Sequence, residues 1–352
     1  MHIILLSVFL LLTAASGTGD GAPTSLAFQP GSVRVTRPAE PDFGTRTRFM
    51  RRIDGIGTDG AVATGVGGGS QQAPAEPTPE QRARQRMTQP IVLGPDDKPA
   101  FAEPPAGFDA TRAGVPHGKM EMIEYESKTV GTRRKMLVYT PPGYSPQRTY
   151  PVLYLLHGIG GDETEWQRLA VPEVILDNLL ADGKLVPMIA VFPNGRAQQN
   201  DRAEGDVFRS APAFARFERD LLDDVIPAIE ARYPVKADRE HRALAGLSMG
   251  GGQALNFGLG HLDRFAWVGG FSSAPNTWPA AQLVPDPASV ARQLKLLFLS
   301  CGNKDGLIGI SQRLHAYLKE HDVPHIWHVD GHGHDAPAWR AALYHFAQRL
   351  FR

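Results

Sequence analysis

The chain has 352 residues, and its 37 lysine and arginine residues are balanced by 37 aspartate and glutamate residues. Because the formal net charge is zero, the composition gives no reason to expect nucleic acid or an anionic membrane surface as a partner. The chain has one cysteine, Cys301, which excludes an intramolecular disulfide but does not exclude export.

Residues 1–17 have the pattern of a secretory signal. Residues 3–12 are mostly apolar, and residues 13–17, TAASG, carry the small side chains that are typical of a cleavage site. No other stretch approaches the roughly 20 apolar residues that a membrane span needs. We therefore expect a cleaved signal peptide at 1–17 and a secreted or periplasmic protein. An uncleaved N-terminal anchor is the alternative, for which the apolar run is short.

Residues 18–117 are predicted to form a flexible tether. The segment is rich in proline and contains the run GVGGGSQQ at 65–72. Few apolar positions recur at the period of a helix or a strand, so no packed core is expected there. The sequence therefore places one folded domain at 118–352.

Predicted strands and helices alternate through the folded domain. Two strands at 121–125 and 134–139 flank a turn at Gly131 and predict an antiparallel hairpin. The clearest helical pattern runs over 214–233, and a last helix is predicted at 338–351. This alternation predicts an α/β fold, a mainly parallel sheet with helices on both faces. Its further strands are predicted at 150–156, 188–192, 241–246, 265–270, 294–300 and 325–329.

A glycine-rich turn, HGIGG at 157–161, follows the strand that is predicted at 150–156. A turn in this position can aim a backbone N–H at the negative charge that develops on a reacting oxygen. A plain tight turn is the alternative interpretation.

Residues 246–250, GLSMG, have the G-x-S-x-G pattern of a nucleophile elbow. A predicted strand precedes the pattern and a helical stretch follows it, which is the context that such an elbow requires. The flanking glycines leave room for close backbone approach. Ser248 is therefore the candidate nucleophile, and the N–H of Met249, the next residue, is a candidate oxyanion donor.

Two later loops supply candidate partners for Ser248 in the order serine, acid, histidine. Asp305 lies in the loop that follows the strand at 294–300, where ligand-binding loops gather in open α/β sheets. His334 lies in a glycine loop after the strand at 325–329. A turn aspartate without a role is the alternative for Asp305, and His332 is the alternative base.

The four histidines between residues 325 and 334 also invite interpretation as a metal site. His325 and His328 are three residues apart on a predicted strand, however, so their side chains should point to opposite faces. We predict no metal site. Acyl transfer at a serine needs no cofactor, and none is predicted.

The chain resembles the putative-esterase family, which contains feruloyl esterases, acetylxylan esterases, S-formylglutathione hydrolases and enterochelin esterases. The resemblance covers roughly 118–352 and is nearest to the secreted feruloyl-esterase-like branch. At the end of the chain, His334 and Trp339 keep the family's spacing, but His332 stands where a glycine is usual. The other matching motifs are HGIGG at 157–161 with EW at 165–166, FPNGR at 192–196 and GLSMGG at 246–251.

The resemblance implies an α/β-hydrolase fold and a serine carboxylester hydrolase that works through an acyl-enzyme. It implies Ser248 as nucleophile, Asp305 as orienting acid and His334 as base. It also implies the N–H groups of Ile159 and Met249 as the oxyanion hole. The expected substrates are feruloyl or other short or aromatic esters of plant cell-wall carbohydrate. An acetylxylan-type esterase and an acyltransferase with the same triad are the alternatives, and a non-catalytic relative is a third.

Three tryptophans are candidate substrate-binding residues, because aromatic rings in loops can stack on a sugar or a phenolic acyl group. Trp166 comes just after the glycine turn, and Trp278 lies in the loop after the strand at 265–270. Trp339 follows His334 by five residues. Packing within the protein is the alternative for each. Trp166 and Trp339 are expected to lie nearest the triad.

Overall fold

The computed structural model describes residues 90–352. The predicted signal peptide at 1–17 and residues 18–89 of the predicted tether lie outside this part of the chain. Within residues 90–352, no helix is long and apolar enough to cross a membrane.

The sheet has eight strands in the order β1-β2-β4-β3-β5-β6-β7-β8. β1 is antiparallel to β2, and β2 is antiparallel to β4, whereas the remaining neighbours pair in parallel. This arrangement confirms the predicted α/β-hydrolase fold with its hairpin and mainly parallel sheet. The strands are β1 (Lys119–Ser127), β2 (Thr132–Thr140), β3 (Val152–Leu156), β4 (Ile189–Pro193), β5 (Arg242–Leu247), β6 (Trp267–Phe271), β7 (Leu296–Gly302) and β8 (Ile326–Asp330).

Helices cover both faces of the sheet, and each face has its own apolar core. They are α1 (Glu165–Ala170), α2 (Pro172–Ala181), α3 (Ala211–Asp220), α4 (Ile226–Arg232), α5 (Met249–Gly260), α6 (Ala280–Leu283), α7 (Pro287–Gln293), α8 (Ile308–Glu320) and α9 (Ala336–Ala347). Helices α1, α2 and α9 contribute to one core, whereas α4, α5 and α8 contribute to the other. The helix that was predicted at 214–233 is α3 and α4, joined through a π-helical turn at Leu221–Val225.

The burial of each strand follows from its place in the sheet. Every residue of β3, β4 and β5 is buried, because helices cover both faces, and these strands are correspondingly apolar. The second half of β1 instead alternates between buried and exposed residues, as expected where one face of a strand is open to solvent. The carboxyl ends of the parallel strands all lie on the same side of the sheet, so the loops after β3, β5, β7 and β8 meet there.

Residues 90–117, which we call the strap, pack against the domain, so the predicted tether is wrong over this part. The Lys98 carbonyl accepts a hydrogen bond from the Val329 N–H of the edge strand β8 at 3.2 Å. The Phe101 ring stacks on His345 at 5.0 Å, and Phe108 also packs on the core that contains α9. These contacts involve single, widely spaced side chains. A search for periodic apolar positions therefore could not detect them.

Candidate active site

Ser248 lies on a sharp turn between β5 and α5. Its backbone angles are φ 54° and ψ −118°, a left-handed φ that side chains rarely adopt. A Cβ on Gly246 would lie 2.3 Å from the Gly250 carbonyl oxygen, and one on Gly250 would lie 2.4 Å from the Leu156 carbonyl oxygen. Only glycine fits at either position. The predicted elbow is therefore formed, with the serine at the start of the helix.

His334 joins Ser248 to Asp305. Its Nε2 lies 2.9 Å from Ser248 Oγ, and its Nδ1 lies 2.8 Å from Asp305 Oδ2. His332 points elsewhere, with Nε2 3.9 Å from a carboxylate oxygen of Glu103 in the strap. The structure therefore brings together the three predicted side chains, and it is His334 rather than His332 that contacts the serine.

Asp305 is buried but remains the anionic member of the group. Burial by itself raises the pKa of its carboxyl, but hydrogen bonds from His334, the Leu307 N–H and Ser272 outweigh this and lower the pKa below its ordinary value. An ionised carboxylate only accepts hydrogen bonds, so the proton of His334 lies on Nδ1. The Nε2 atom is then free to accept the Ser248 hydroxyl proton.

The turn at 157–161 lies beside the nucleophile. A Cβ on Gly158 would lie 3.5 Å from Ser248 Cβ. The Met249 N–H is in the first turn of α5, where backbone N–H groups have no acceptor within the helix. The predicted oxyanion donors thus belong to Met249, which directly follows the nucleophile, and to Ile159, which follows Gly158 in the neighbouring turn.

Side chains that the sequence did not identify hold this turn in shape. Glu165 Oε2 accepts the Gly158 N–H at 2.6 Å. Arg196 is fully buried, and its guanidinium donates to the Ile159 carbonyl and, at 3.1 Å, to the Gly161 carbonyl. Both residues lie in motifs that carry the family resemblance. The motifs themselves do not indicate which atoms these side chains bind.

The prediction that Trp166 binds substrate is wrong. The side chain is 1% exposed, its Nε1 donates to the Leu156 carbonyl at 3.0 Å, and its ring packs edge-on against Phe271. Trp339 is also buried, and its ring meets the His334 ring edge-on at 5.4 Å. Trp339 therefore packs against the ring of His334 and leaves little of its own surface for a substrate.

Trp278 is 38% exposed and lines an open cavity of about 880 Å³. The cavity lies between the loop after β6 and helix α8. The loop is tied to the nucleophile, because the Ala274 N–H donates to the Ser248 carbonyl at 3.0 Å. Gly306, which directly follows Asp305, also lines the cavity. Its other lining residues include Leu307, Ile310, Arg313, Tyr317 and Glu320.

The histidines after β7 separate as their spacing predicted. His325 Nε2 lies 2.8 Å from His315 Nδ1 of α8, whereas His328 Nδ1 accepts the Ala100 N–H of the strap at 3.0 Å. In the part of the chain that the structure describes, no three His, Cys, Asp or Glu side chains are grouped as metal ligands.

Comparison with known proteins relates this geometry to a family. Residues 127–349 match the model of the family described as "Putative esterase". An endo-1,4-beta-xylanase/feruloyl esterase of Xylanibacter ruminicola is 32% identical over 250 residues, which cover 70% of this chain and 33% of that protein. The chain thus spans about a third of the length of this curated relative.

Solved structures agree in fold. A ferulic acid esterase of the anaerobic fungus Anaeromyces mucronatus is 27% identical with a TM-score of 0.64, covering 71% of this chain and 96% of that one. An S-formylglutathione hydrolase of Staphylococcus aureus is 21% identical with a TM-score of 0.55, and the match covers 69% of this chain and 99% of that one. At this identity the likeness supports the fold alone. Because the family model matches most of the chain, the protein belongs to the "Putative esterase" family.

Proposed function

We propose that the protein is a serine carboxylester hydrolase that works through an acyl-enzyme. The observation that carries the proposal is the continuous chain of hydrogen bonds from Ser248 Oγ through His334 to Asp305, at 2.9 and 2.8 Å. A serine, a histidine in the correct tautomer and a buried carboxylate in this order form the arrangement used for acyl transfer.

The reaction follows from the positions of these atoms. His334 Nε2 takes the hydroxyl proton as Ser248 Oγ attacks the ester carbonyl carbon, and the N–H groups of Ile159 and Met249 stabilise the oxyanion. The imidazolium gives its proton to the leaving alcohol, and the acyl group stays on Ser248. Water then takes the place of the alcohol, loses a proton to His334 and attacks the acyl-enzyme. Collapse of the second oxyanion releases the acid and restores the serine.

The proposed substrates are feruloyl or other aromatic esters of plant cell-wall carbohydrate. The names of the relatives in Xylanibacter and Anaeromyces support this choice. So does Trp278, whose exposed ring offers a flat apolar surface to an aromatic acyl group from the loop that donates to the Ser248 carbonyl through the Ala274 N–H. Polymeric cell-wall substrates lie outside the cell, which agrees with the export signal predicted at 1–17.

Methyl ferulate and methyl acetate provide the test. Burial of an aromatic ring contributes about 1.5–3 kcal/mol, so kcat/KM for methyl ferulate should exceed that for methyl acetate by about tenfold to a hundredfold. A fluorophosphonate probe should label the wild-type protein but not Ser248→Ala. Preference for acetate would favour the acetylxylan-type alternative. Transfer of the acyl group to an added alcohol in preference to water would favour an acyltransferase.

A further inference from the structure

The direction of the Ile159 N–H depends on the peptide group between Gly158 and Ile159. In a trans peptide, the C=O of one residue and the N–H of the next point in opposite directions. The carbonyl of this peptide belongs to Gly158, and its oxygen lies 2.7 Å from Nδ1 of His157. A group that fixes the Gly158 carbonyl therefore also fixes the direction in which the Ile159 N–H points.

The surroundings of His157 define its tautomer. The Gly195 N–H points at Nε2 from 2.8 Å. Asn194 Oδ1 lies farther from Nε2, at 3.1 Å, and already accepts the Arg196 N–H. A backbone N–H only donates, so Nε2 carries no proton, and the ring proton lies on Nδ1, facing the Gly158 carbonyl. Burial is the largest influence on the pKa of His157 and lowers it, outweighing the opposite influence of Glu165. The ring is therefore neutral, with one donor and one acceptor, and both are used.

Gly195, which donates to Nε2 of His157, is itself held by the helix that carries the nucleophile. Gln253 lies on α5, one turn after Ser248, and its amide donates to the Gly195 carbonyl at 3.0 Å and to the Phe214 carbonyl at 2.7 Å. A Cβ on Gly195 would lie 2.8 Å from the Gln253 side chain, so this contact is close. The position of Gly195, and through it that of the imidazole, is set by the same helix that sets Ser248.

We propose that His157 is a positioning residue which, as a neutral imidazole protonated on Nδ1, holds the Gly158 carbonyl and thereby aims the Ile159 N–H at the oxyanion. The proposal rests on the proposed esterase function. His157 is 1% exposed, so it acts through the peptide group and touches no substrate.

Two isosteric variants separate the two ends of the ring. In His157→Asn, the amide nitrogen can occupy the place of Nδ1 and donate to the Gly158 carbonyl. In His157→Gln, the amide oxygen reaches the place of Nε2 and accepts the Gly195 N–H, but no side chain donates to the Gly158 carbonyl, which keeps only the Gly161 N–H at 3.1 Å. We expect the glutamine variant to lose about 10²–10³-fold in kcat with little change in KM, as loss of an oxyanion donor does. The asparagine variant should stay within about tenfold of wild type.

A thionoester of methyl ferulate provides a readout that simple destabilisation would not change. Sulfur accepts hydrogen bonds weakly, so the preference for the oxygen ester over the thionoester reports the strength of the oxyanion contact. We expect this preference to shrink at least about tenfold in His157→Gln and to persist in His157→Asn. His345→Gln is the matched control, because His345 is also a buried histidine but contacts Phe101 and His328. Its thermal stability should fall while the preference stays unchanged.

Wild-type protein labelled with ¹⁵N-histidine tests the tautomer without any variant. Long-range N–H correlation spectra should show His157, assigned by its loss in His157→Asn, as the neutral Nδ1–H form across the pH range in which a free histidine titrates, around pH 6.5. Titration in this range, an Nε2–H form, or equal losses in the two variants would overturn the proposal. A wild-type protein that hydrolyses no ester and escapes fluorophosphonate labelling would instead overturn the proposed function, whatever the tautomer of His157.

Discussion

At the scale of single residues, the Asp305 carboxylate decides which nitrogen of His334 carries the proton. In Asp305→Asn the side-chain amide can present an N–H to Nδ1, which moves the histidine proton to Nε2 and leaves the Ser248 hydroxyl without an acceptor. We expect kcat for methyl ferulate to fall about 10⁴-fold while the circular dichroism spectrum stays that of wild type.

Asp330→Asn is the matched control for this change. Asp330 is a buried aspartate at the end of the neighbouring strand, and its Oδ1 accepts the His332 N–H at 2.9 Å. Burial raises the pKa of its carboxyl, so a neutral amide is a close substitute. Its kcat should remain within about tenfold of wild type. A similar loss in both variants would indicate that buried carboxylates in this region maintain the loops and have no specific effect on His334.

The sequence predicts these reacting side chains better than the residues around them. Ser248 and His334 are predictable because each follows a buried strand, and the ends of parallel strands must meet. Trp166 was assigned wrongly because closeness to the glycine turn along the chain does not determine which face of α1 is buried. The contacts of His157 and Arg196 were missed because they arise only where two loops, distant in sequence, converge.

At the scale of elements, the strap and the edge strand β8 share a cluster of rings. Phe101 packs against both His328 and His345, which also contact each other, and the Arg349 guanidinium lies 3.6 Å from the centre of the Phe101 ring. Burial, followed by the nearby charge of Arg349, lowers the pKa of His328 from 6.5 to about 4. Burial, followed by His328 and Arg349, also lowers that of His345 to about 4. Both rings are therefore neutral in the folded protein above this value.

This cluster predicts a loss of stability in mild acid. Between about pH 6.5 and 4 the unfolded chain binds protons at these histidines that the folded protein excludes, so the free energy of unfolding falls as the pH falls through this window. The loss levels off below the folded pKa. In His328→Asn, the amide oxygen still accepts the Ala100 N–H but no longer titrates. Urea unfolding at several pH values should give a shallower dependence for this variant, and an unchanged slope would contradict the assignment.

The elements themselves were predictable to different degrees. The hairpin and the strands of the parallel sheet were predicted because apolar runs of strand length alternate with helical patterns. The π-helical turn at Leu221–Val225 was not, because its residues continue the helical pattern on both sides. The strap escaped prediction because proline breaks any period, and its anchors Phe101 and Phe108 stand alone.

At the scale of the whole molecule, the strap extends the folded domain beyond the boundary predicted at residue 118. Its hydrogen bonds reach four elements in turn. They join Asp97 to Gln312 of α8, Lys98 to Val329 of β8, Asp109 to Arg340 of α9 and Arg112 to Asn178 of α2. The Lys98 contact lies at the edge of the sheet, where the Val329 N–H of β8 would otherwise be an unpaired backbone group. The strap therefore protects an edge strand that precedes the His334 loop.

A pair of truncations tests this role. A protein of residues 118–352 lacks Phe101 and Phe108, which leaves their partners uncovered, and it exposes the edge of β8, so it should melt several degrees below one of residues 90–352. Burying one aromatic side chain contributes about 1.5–3 kcal/mol to stability. In a domain of this size, each kcal/mol changes the melting temperature by roughly 2–4 °C. Phe101→Ala in the full chain should reproduce part of the decrease, and light scattering should show aggregation of 118–352 through the open edge.

Equal melting temperatures for the two truncations would show that the domain begins at residue 118 and that the strap does not stabilise it. A lower melting temperature with unchanged kcat for methyl ferulate would show that the strap stabilises the domain without shaping the triad.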